Sequence, residues 1–144
     1  MPVVIRSPSA IRPWQHVLEP LSGYLMLAQV LYQEGEKYSS GWNFGPNDMD
    51  ARPVRWIVEH MTNKWGDHAT WIQDKGGQPH EANYLKLDIS KAKNHLGWKP
   101  IWNLELALEK IVDWHKAWLS GADMRSFCEQ QIAAYQSDTK ISQA

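Results

Sequence analysis

Apolar residues recur at helical spacing along most of the chain, and the patterns begin near capping or proline residues and end at glycines. The long helices predicted in this way cover 18–34, 53–65, 103–120 and 123–136. A shorter helix within 88–100 begins at an acidic residue and stops at a Gly-Trp pair closed by Pro100. The remaining residues, 137–144, are predicted to be a frayed tail.

Short runs of β-branched or aromatic residues, bounded by turn residues, predict strands between these helices. The predicted strands and extended segments are 2–6, 12–17, 42–44, 69–74 and 82–87. Helices separated by a few short strands predict a small α/β fold that is mostly helical. At 144 residues, one domain is expected.

Charge and composition limit the partners and the cellular location that we expect. Fifteen Lys plus Arg against 16 Asp plus Glu give a formal charge of -1, so we expect neither nucleic acid nor membrane as a partner. No apolar run approaches the ~18 residues of a membrane span, and the start of the chain does not resemble a signal peptide. The single cysteine, Cys128, favours a reducing compartment, so a cytoplasmic location is expected. The nine tryptophans are expected to be packing residues in the main.

The sequence contains no motif that would allow this chain to catalyse a reaction by itself. Six histidines and one cysteine show no metal-ligand spacing, and no nucleophile elbow or P-loop is present. No glycine triple has the spacing of a dinucleotide-binding turn, and no tyrosine is followed four residues later by lysine. His115 lies on an apolar stripe and is expected to be a packed core residue. We therefore expect no catalytic residue, metal or cofactor on this chain by itself.

Several blocks of sequence resemble one enzyme family. They are "RPWQHVLEPLSGYL", "WNFGP" and "HEANYLKLDISKAKNHLGWKP", followed by a helix that contains "IVDWHKAW". In this order the blocks resemble the C-terminal portion of the extended short-chain dehydrogenase/reductase family, and within it the CDP-glucose 4,6-dehydratases. The resemblance runs from about residue 3 to residue 135.

The resemblance implies a reaction and a second lobe. Such enzymes use tightly bound NAD to oxidise the sugar at C4, eliminate water across C5 and C6, and return the hydride to C6. The C4 ketone acidifies the C5 proton, which makes the elimination feasible. In this family the cofactor turn and the catalytic residues lie in an N-terminal Rossmann domain that the sequence does not contain. We therefore expect 1–144 to be a single substrate-binding lobe (a fragment, a separately encoded half or a natural truncation) without dehydratase activity alone.

The resemblance also assigns residues to a CDP-sugar. Arg12 takes the place of an arginine directed at the diphosphate, and a guanidinium fork suits phosphate oxygens. Trp14 is expected to stack or to wall the pocket, or to be a packing residue. Gln78 stands where many relatives carry a second arginine, so His80 is the alternative source of a donor or positive charge. Glu81 is expected to accept from a ribose hydroxyl, to hold Arg12, or simply to be solvated.

Other interpretations stay open at this point. The same lobe would serve a dehydratase or epimerase that acts on another nucleoside diphosphate sugar. A protein-interaction module is a different class of function, because the surface that meets the second lobe would be apolar and would pair with a separate Rossmann half or with a second copy. An unrelated small helical domain with a chance likeness is the third interpretation.

Overall fold

Five helices and four short strands make up the part of the chain that the computed structural model describes, residues 1–76 and 83–143. The helices are α1 Leu18–Glu34, α2 Val54–Trp65, α3 Ser90–Leu96, α4 Leu104–Leu119 and α5 Met124–Gln143. The strands are β1 Val3–Ile5, β2 Ile11–Arg12, β3 Arg52–Pro53 and β4 Trp71–Gln73. Short 3₁₀ turns cover Gly35–Tyr38 and Asp48–Asp50. The predicted α/β class, mostly helical with a few short strands, is confirmed.

The strands form two small pairs. β1 runs parallel to β4, whereas β2 runs antiparallel to β3. The other edge of β2 is also occupied, because Ile11 N donates to the carbonyl of Asn83 at 2.9 Å and Leu85 N donates to the carbonyl of Ile11 at 3.1 Å. β2 therefore lies between two neighbours and is held on both edges.

The helix ends follow the local signals in the sequence. Asn103 Oδ1 accepts from Leu106 N at 2.9 Å, so Asn103, the first residue of the predicted 103–120 helix, is the N-cap of α4. Gly97 follows α3 with φ 68°, a left-handed conformation that suits glycine, and this explains the abrupt stop of that helix. At the start of α2, Val54 N and Arg55 N donate to carbonyls of the 8–10 segment at 2.9 and 2.8 Å. These two bonds attach α2 to the chain that leads into β2.

Two clusters of apolar side chains form the core. The first is centred on Phe44, Ile89, Ala92 and Trp98, with Met26 and Leu27 of α1 packed against it. The second is centred on Ile57, Leu104 and Leu108, with Trp14 and Trp56 among the residues packed against it. The first cluster reaches α1 only because Gly23 has no side chain: an added Cβ would lie 2.2 Å from Phe44 Cδ1.

Some predicted elements are wrong. The segment 42–44 is not a strand, and Phe44 is instead buried within irregular chain whose carbonyl accepts from Gln15 Nε2 at 2.8 Å. Of the predicted frayed tail, residues 137–143 are helical, because α5 continues to Gln143. Asp138 helps to hold this last part, since its Oδ2 accepts from Trp102 Nε1 at 2.8 Å.

The prediction for His115 is also wrong, and α1 buries a side that its sequence pattern does not indicate. His115 is exposed rather than packed in the core, and its Nδ1 lies 2.8 Å from the carbonyl oxygen of Ile111. The apolar stripe of α1 does not face the core either: Leu21, Leu25 and Tyr32 are all exposed. The sides of α1 that are buried carry Glu19 and Gly23.

Candidate functional site

Two arginines face each other across the β2–β3 pair. Arg12 lies opposite Arg52 in the antiparallel register, so both side chains leave the strands on the same side, with Cα atoms about 5 Å apart. Arg12 is half-buried, and its Nη1 donates to the carbonyl of Ile11 at 2.8 Å. Arg52 is exposed, and its guanidinium lies 5.5 Å from the ring centroid of Trp56. A second cation thus accompanies the arginine that the sequence singled out.

Arg52 lines an open cleft of about 480 Å³ that reaches the start of α4. The lining residues are Asn47, Met49, Asp50, Arg52, Trp56, Asn103 and Glu105. One side of the cleft is cationic and aromatic, through Arg52 and Trp56. The other side presents the amide and carboxylate groups at the start of α4. Its volume lies in the range of small-molecule sites in proteins.

Hydrogen bonds fix the α4 side of this cleft. Asp50 Oδ1 accepts from Leu104 N at 3.1 Å, which joins the 3₁₀ turn before β3 to the first residue of α4. Asn103 is held by its capping bond to Leu106 N. Glu105, in the first turn of α4, is exposed. The cleft is therefore built from two elements that are bonded to each other at its base.

Trp14 contacts the core behind the cleft. It packs against the cluster of Ile57, Leu104 and Leu108, the same cluster that Trp56 contacts. Its indole N–H is buried and has no acceptor within the described residues. Trp14 is therefore a packing residue, which is one of the two roles predicted for it. Its contact with a ligand stays a prediction.

The other predicted binding residues, Gln78, His80 and Glu81, lie outside the described residues. The description resumes at Asn83, whose carbonyl accepts from Ile11 N. The chain after this segment therefore returns to the strand that carries Arg12. The roles predicted for Gln78, His80 and Glu81 stay predictions.

A carboxylate lies inside the molecule behind the same region. Glu19 is completely buried, and it accepts from Ile101 N at 3.0 Å, from Trp102 N at 2.7 Å and from the Tyr135 hydroxyl at 2.7 Å. Burial raises the pKa of the Glu19 carboxyl above its ordinary value, although these three bonds act in the opposite direction. Three donors from two distant parts of the chain thus converge on one side chain.

Aromatic rings enclose this carboxylate. The ring of Trp102 meets His16 and Tyr135 edge-on, with centroids 4.9 and 5.0 Å away. Ser22 Oγ accepts from Trp98 Nε1 at 3.0 Å and lies 3.1 Å from the Tyr135 hydroxyl. The Glu19 network therefore joins α1, α5 and the chain between α3 and α4.

Two more titratable groups of this network have shifted pKa values. Burial lowers the pKa of His16, and the positive charge of Lys110 lowers it further. The Nδ1 atom of His16 accepts from Leu18 N at 3.2 Å, which requires an unprotonated Nδ1. Burial raises the pKa of Tyr135, and Glu19 adds to the effect. At neutral pH both rings are therefore uncharged.

The described residues do not fit a dinucleotide cofactor. Such a cofactor places its pyrophosphate at a helix N-terminus that follows a glycine-rich turn. In the described ranges, N–H groups at the start of every helix already have acceptors. These acceptors are His16, the carbonyls of Pro8 and Ala10, Asp88, Asp50 with Asn103, and Asp123.

Neither a metal-ligand cluster nor a membrane-spanning helix is found among the described residues. Across 1–76 and 83–143, no three His, Cys, Asp or Glu side chains come close enough together to hold a metal ion. Within the same residues, no helix combines the length and the apolar character needed to cross a membrane.

Arg52 and Trp56 line the cleft but were not predicted from the sequence. Arg52 belongs to a strand of two residues, and its register with Arg12 joins positions 40 apart, which no local pattern reveals. Trp56 was one of many tryptophans at a helical position. The nearest signal was the run "ARPVRW", where two arginines and a tryptophan flank a proline at the start of a helix.

The chain is similar to parts of two known sugar-nucleotide dehydratases. No protein-family model matches the chain. The chain is 57% identical over 137 residues to the CDP-glucose 4,6-dehydratase of Salmonella typhimurium, a match that covers 95% of this chain and 38% of that protein. It is 26% identical over 111 residues to a probable dTDP-glucose 4,6-dehydratase of Sinorhizobium fredii, which covers 74% of this chain and 31% of that protein. The chain thus spans about a third of the length of these curated relatives, and the resemblance stated from the sequence is confirmed.

Proposed function

We propose that this chain, which is similar over 95% of its length to a CDP-glucose 4,6-dehydratase, is the nucleotide-sugar-binding part of such an enzyme. In the whole enzyme it would serve the conversion of CDP-glucose to CDP-4-keto-6-deoxyglucose. The chain alone has no dehydratase activity in this proposal, because its sequence lacks the glycine-rich turn and the Tyr/Lys pair. NAD would be held by residues outside this chain.

The observation that carries the proposal is the pairing of Arg12 with Arg52. The register brings the two arginines to the same side of the β2–β3 pair, next to each other. A diphosphate offers several oxygens, which suit two neighbouring guanidinium forks. The second arginine that the sequence seemed to lack at Gln78 would, in this proposal, be supplied by Arg52.

The cleft beside Arg52 supplies the rest of a sugar-nucleotide site in this proposal. Asn103 and Glu105 present oxygen atoms, which accept hydrogen bonds from sugar hydroxyl groups. The cationic side would hold the diphosphate, while the side at the start of α4 would hold the sugar. This division of charge is what supports a nucleoside diphosphate sugar over a free sugar.

Titration of the purified chain with CDP, followed by tryptophan fluorescence, tests the proposal. Trp56 lies under Arg52, so occupancy of the cleft is expected to change its emission. We expect saturable binding that weakens at least about tenfold in Arg12→Ala and in Arg52→Ala, since each loses a charge-assisted contact. Arg125→Ala is the matched control, because Arg125 is exposed on α5 and pairs with Glu129. Equal affinity in all four proteins would overturn the proposal.

Parallel titrations with UDP and dTDP show which nucleotide base the chain prefers. Preference for CDP supports the proposal as stated. Preference for UDP or dTDP would instead favour the lobe of an enzyme that acts on another nucleoside diphosphate sugar. A cytoplasmic location of the enzyme stays a prediction.

A second candidate function, an interaction module, is favoured by the exposed side of α1. Leu25 and Tyr32 are 74% and 94% exposed, and Leu21 and Tyr24 are 43% and 57% exposed on the same helix. An apolar surface of this kind is typical of an interface. We infer that a Rossmann half or a second copy covers it. Light scattering of the chain tests this: a concentration-dependent dimer favours a second copy, whereas a monomer that associates with an added Rossmann half favours that half. A monomer that associates with neither contradicts the module.

A further inference from the structure

The buried carboxylate of Glu19 is not part of the proposed nucleotide site, yet it bonds to the chain that leads into α4 and lies on the helix that follows the strand of Arg12. Burying a carboxylate is costly unless donors satisfy its oxygens. Glu19 Oε1 accepts from Trp102 N, and Oε2 accepts from Ile101 N and from Tyr135. An interior carboxylate with this many partners restricts where each partner lies.

On one side, Glu19 fixes the start of α4. Ile101 and Trp102 immediately precede Asn103, which caps α4 and lines the cleft. Their N–H groups bond to the two different oxygens of Glu19, so both the position and the direction of this short segment are set. The α4 side of the cleft therefore depends on where Glu19 lies.

On the other side, Glu19 fixes the chain that leaves β2. Only six residues separate it from Arg12, and they form no regular element before α1 begins. Glu19 N donates to the carbonyl of His16 at 3.0 Å, and the ring of His16 rests against Trp102, whose N–H is bonded to the Glu19 carboxylate. His16 therefore contacts both the start of α1 and the 101–102 segment that is bonded to Glu19.

We propose that Glu19 is a positioning residue: it sets the distance between the strand that carries Arg12 and the start of α4 that carries Asn103. This inference rests on the proposed function for its consequence, which is nucleotide affinity. Its structural content does not depend on that function. Glu19 contacts no ligand in this proposal and acts only through the main chain.

The test compares Glu19→Gln with Glu34→Gln. A glutamine has nearly the same shape but offers one acceptor oxygen, so its NH₂ group would face an N–H donor. Glu34 ends the same helix, is exposed and pairs with Lys37, so it controls for the loss of one carboxylate from α1. CDP is titrated into both variants at a temperature where near-UV circular dichroism shows them fully folded. Amide NMR spectra of Arg12 and Asn103 are recorded without ligand.

We expect Glu19→Gln to raise the CDP dissociation constant about tenfold and to shift the amide signals of both Arg12 and Asn103, with neither change in Glu34→Gln. Unchanged amides at the two positions overturn the inference. The inference is also overturned if the amide signals shift in Glu19→Gln while its CDP affinity equals that of the unmodified chain. The two sides of the cleft would then move without any effect on binding. If the unmodified chain does not bind CDP, the proposed function fails, and the amide spectra still decide whether Glu19 positions the two segments.

If Glu19→Gln does not fold, Tyr135→Phe replaces it in the same experiment. This variant removes only the hydroxyl that donates to Glu19 Oε2 and keeps the ring against Trp102. Smaller shifts at the same two amides, with a smaller loss of CDP affinity, support the inference. Their absence overturns it.

Discussion

The two sides of α1 depart from the usual arrangement of a surface helix. On the inner side a carboxylate, Glu19, and a glycine, Gly23, are buried beside the packed Met26 and Leu27, whereas the outer side exposes most of Leu25 and nearly all of Tyr32. Helices normally place their apolar residues inward and their charged residues outward. The inner side is held by the hydrogen bonds of Glu19, by the close contact of Gly23 with Phe44 and by the packing of Met26 and Leu27. On the outer side Tyr24 meets the ring of Phe44, but Leu25 and Tyr32 remain largely exposed.

The two sides of α1 differ in what they contribute to the fold. On the inner side every oxygen of the carboxylate is matched by a donor, so a small chemical change there leaves N–H or O–H groups buried without acceptors. On the outer side, the large exposed apolar groups contribute little to the fold of this chain, and in the proposed interaction module association would bury them. The same helix would thus hold the proposed nucleotide site from within and present an interface outside.

The largest expected effect is that of Glu19→Ala. It leaves three donors without an acceptor, and we expect the free energy of unfolding to fall by about 3 kcal/mol. Urea denaturation followed by circular dichroism measures this. Glu34→Ala, at the exposed end of the helix, is the control and should lose less than about 0.5 kcal/mol. Similar losses in the two variants would remove the contrast between the inner side and the rest of α1.

The next effect in size comes from Gly23→Ala. The added methyl group would overlap the ring of Phe44, so we expect a loss of about 2 kcal/mol despite the better helix propensity of alanine. Gly41→Ala is a matched control, because nothing lies within 4 Å of the position of its added Cβ. Thermal unfolding of both variants checks the prediction. A more stable Gly23→Ala would show that Phe44 and α1 do not meet as described.

A smaller effect concerns pH. Because burial raises the pKa of Glu19, the folded chain keeps a proton at pH values where the unfolded chain has lost it. The associated stability is fully present below the ordinary pKa of 4.5 and is lost as the pH rises through the raised value. We expect the difference in unfolding free energy between the unmodified chain and Glu19→Gln to fall as the pH is raised from about 4 to about 7. His16 is present in both proteins, so its titration cancels in the difference. A difference that grows with pH has the wrong sign for this account.

The smallest effect on stability is expected from the outer side. Replacing Leu25 and Tyr32 together by glutamine should change the free energy of unfolding by less than about 0.5 kcal/mol, because both side chains are already in water. The same variant should show reduced association in light scattering or in mixing with a Rossmann half. A large loss of stability would mean that the outer side belongs to the fold of this chain.

The sequence predicted the ends of α1, α2 and α3 and the start of α4 because their signals are local. Gly35, Gly66 and Gly97 each follow the last residue of a helix, and Asn103 precedes one. The inward side of α1 could not be predicted from its apolar stripe, because the partners of Glu19 come from residues more than 80 positions away.

The residues of the candidate site also differ in whether a local sequence signal could predict them. Arg12 was identified through a resemblance carried by consecutive residues, whereas its neighbour Arg52 depends on strand register. Trp14 was correctly recognised as a possible packing residue, since its contacts are with the core. The α4 side of the cleft could not be predicted, because it forms only when Asp50 bonds to Leu104.

A crystal structure of the chain with CDP tests the central claim most directly. The account predicts diphosphate oxygens within hydrogen-bonding distance of both Arg12 and Arg52, with the terminal phosphate directed into the cleft toward Asn103. A nucleotide bound elsewhere, or a diphosphate that contacts neither arginine, would contradict it.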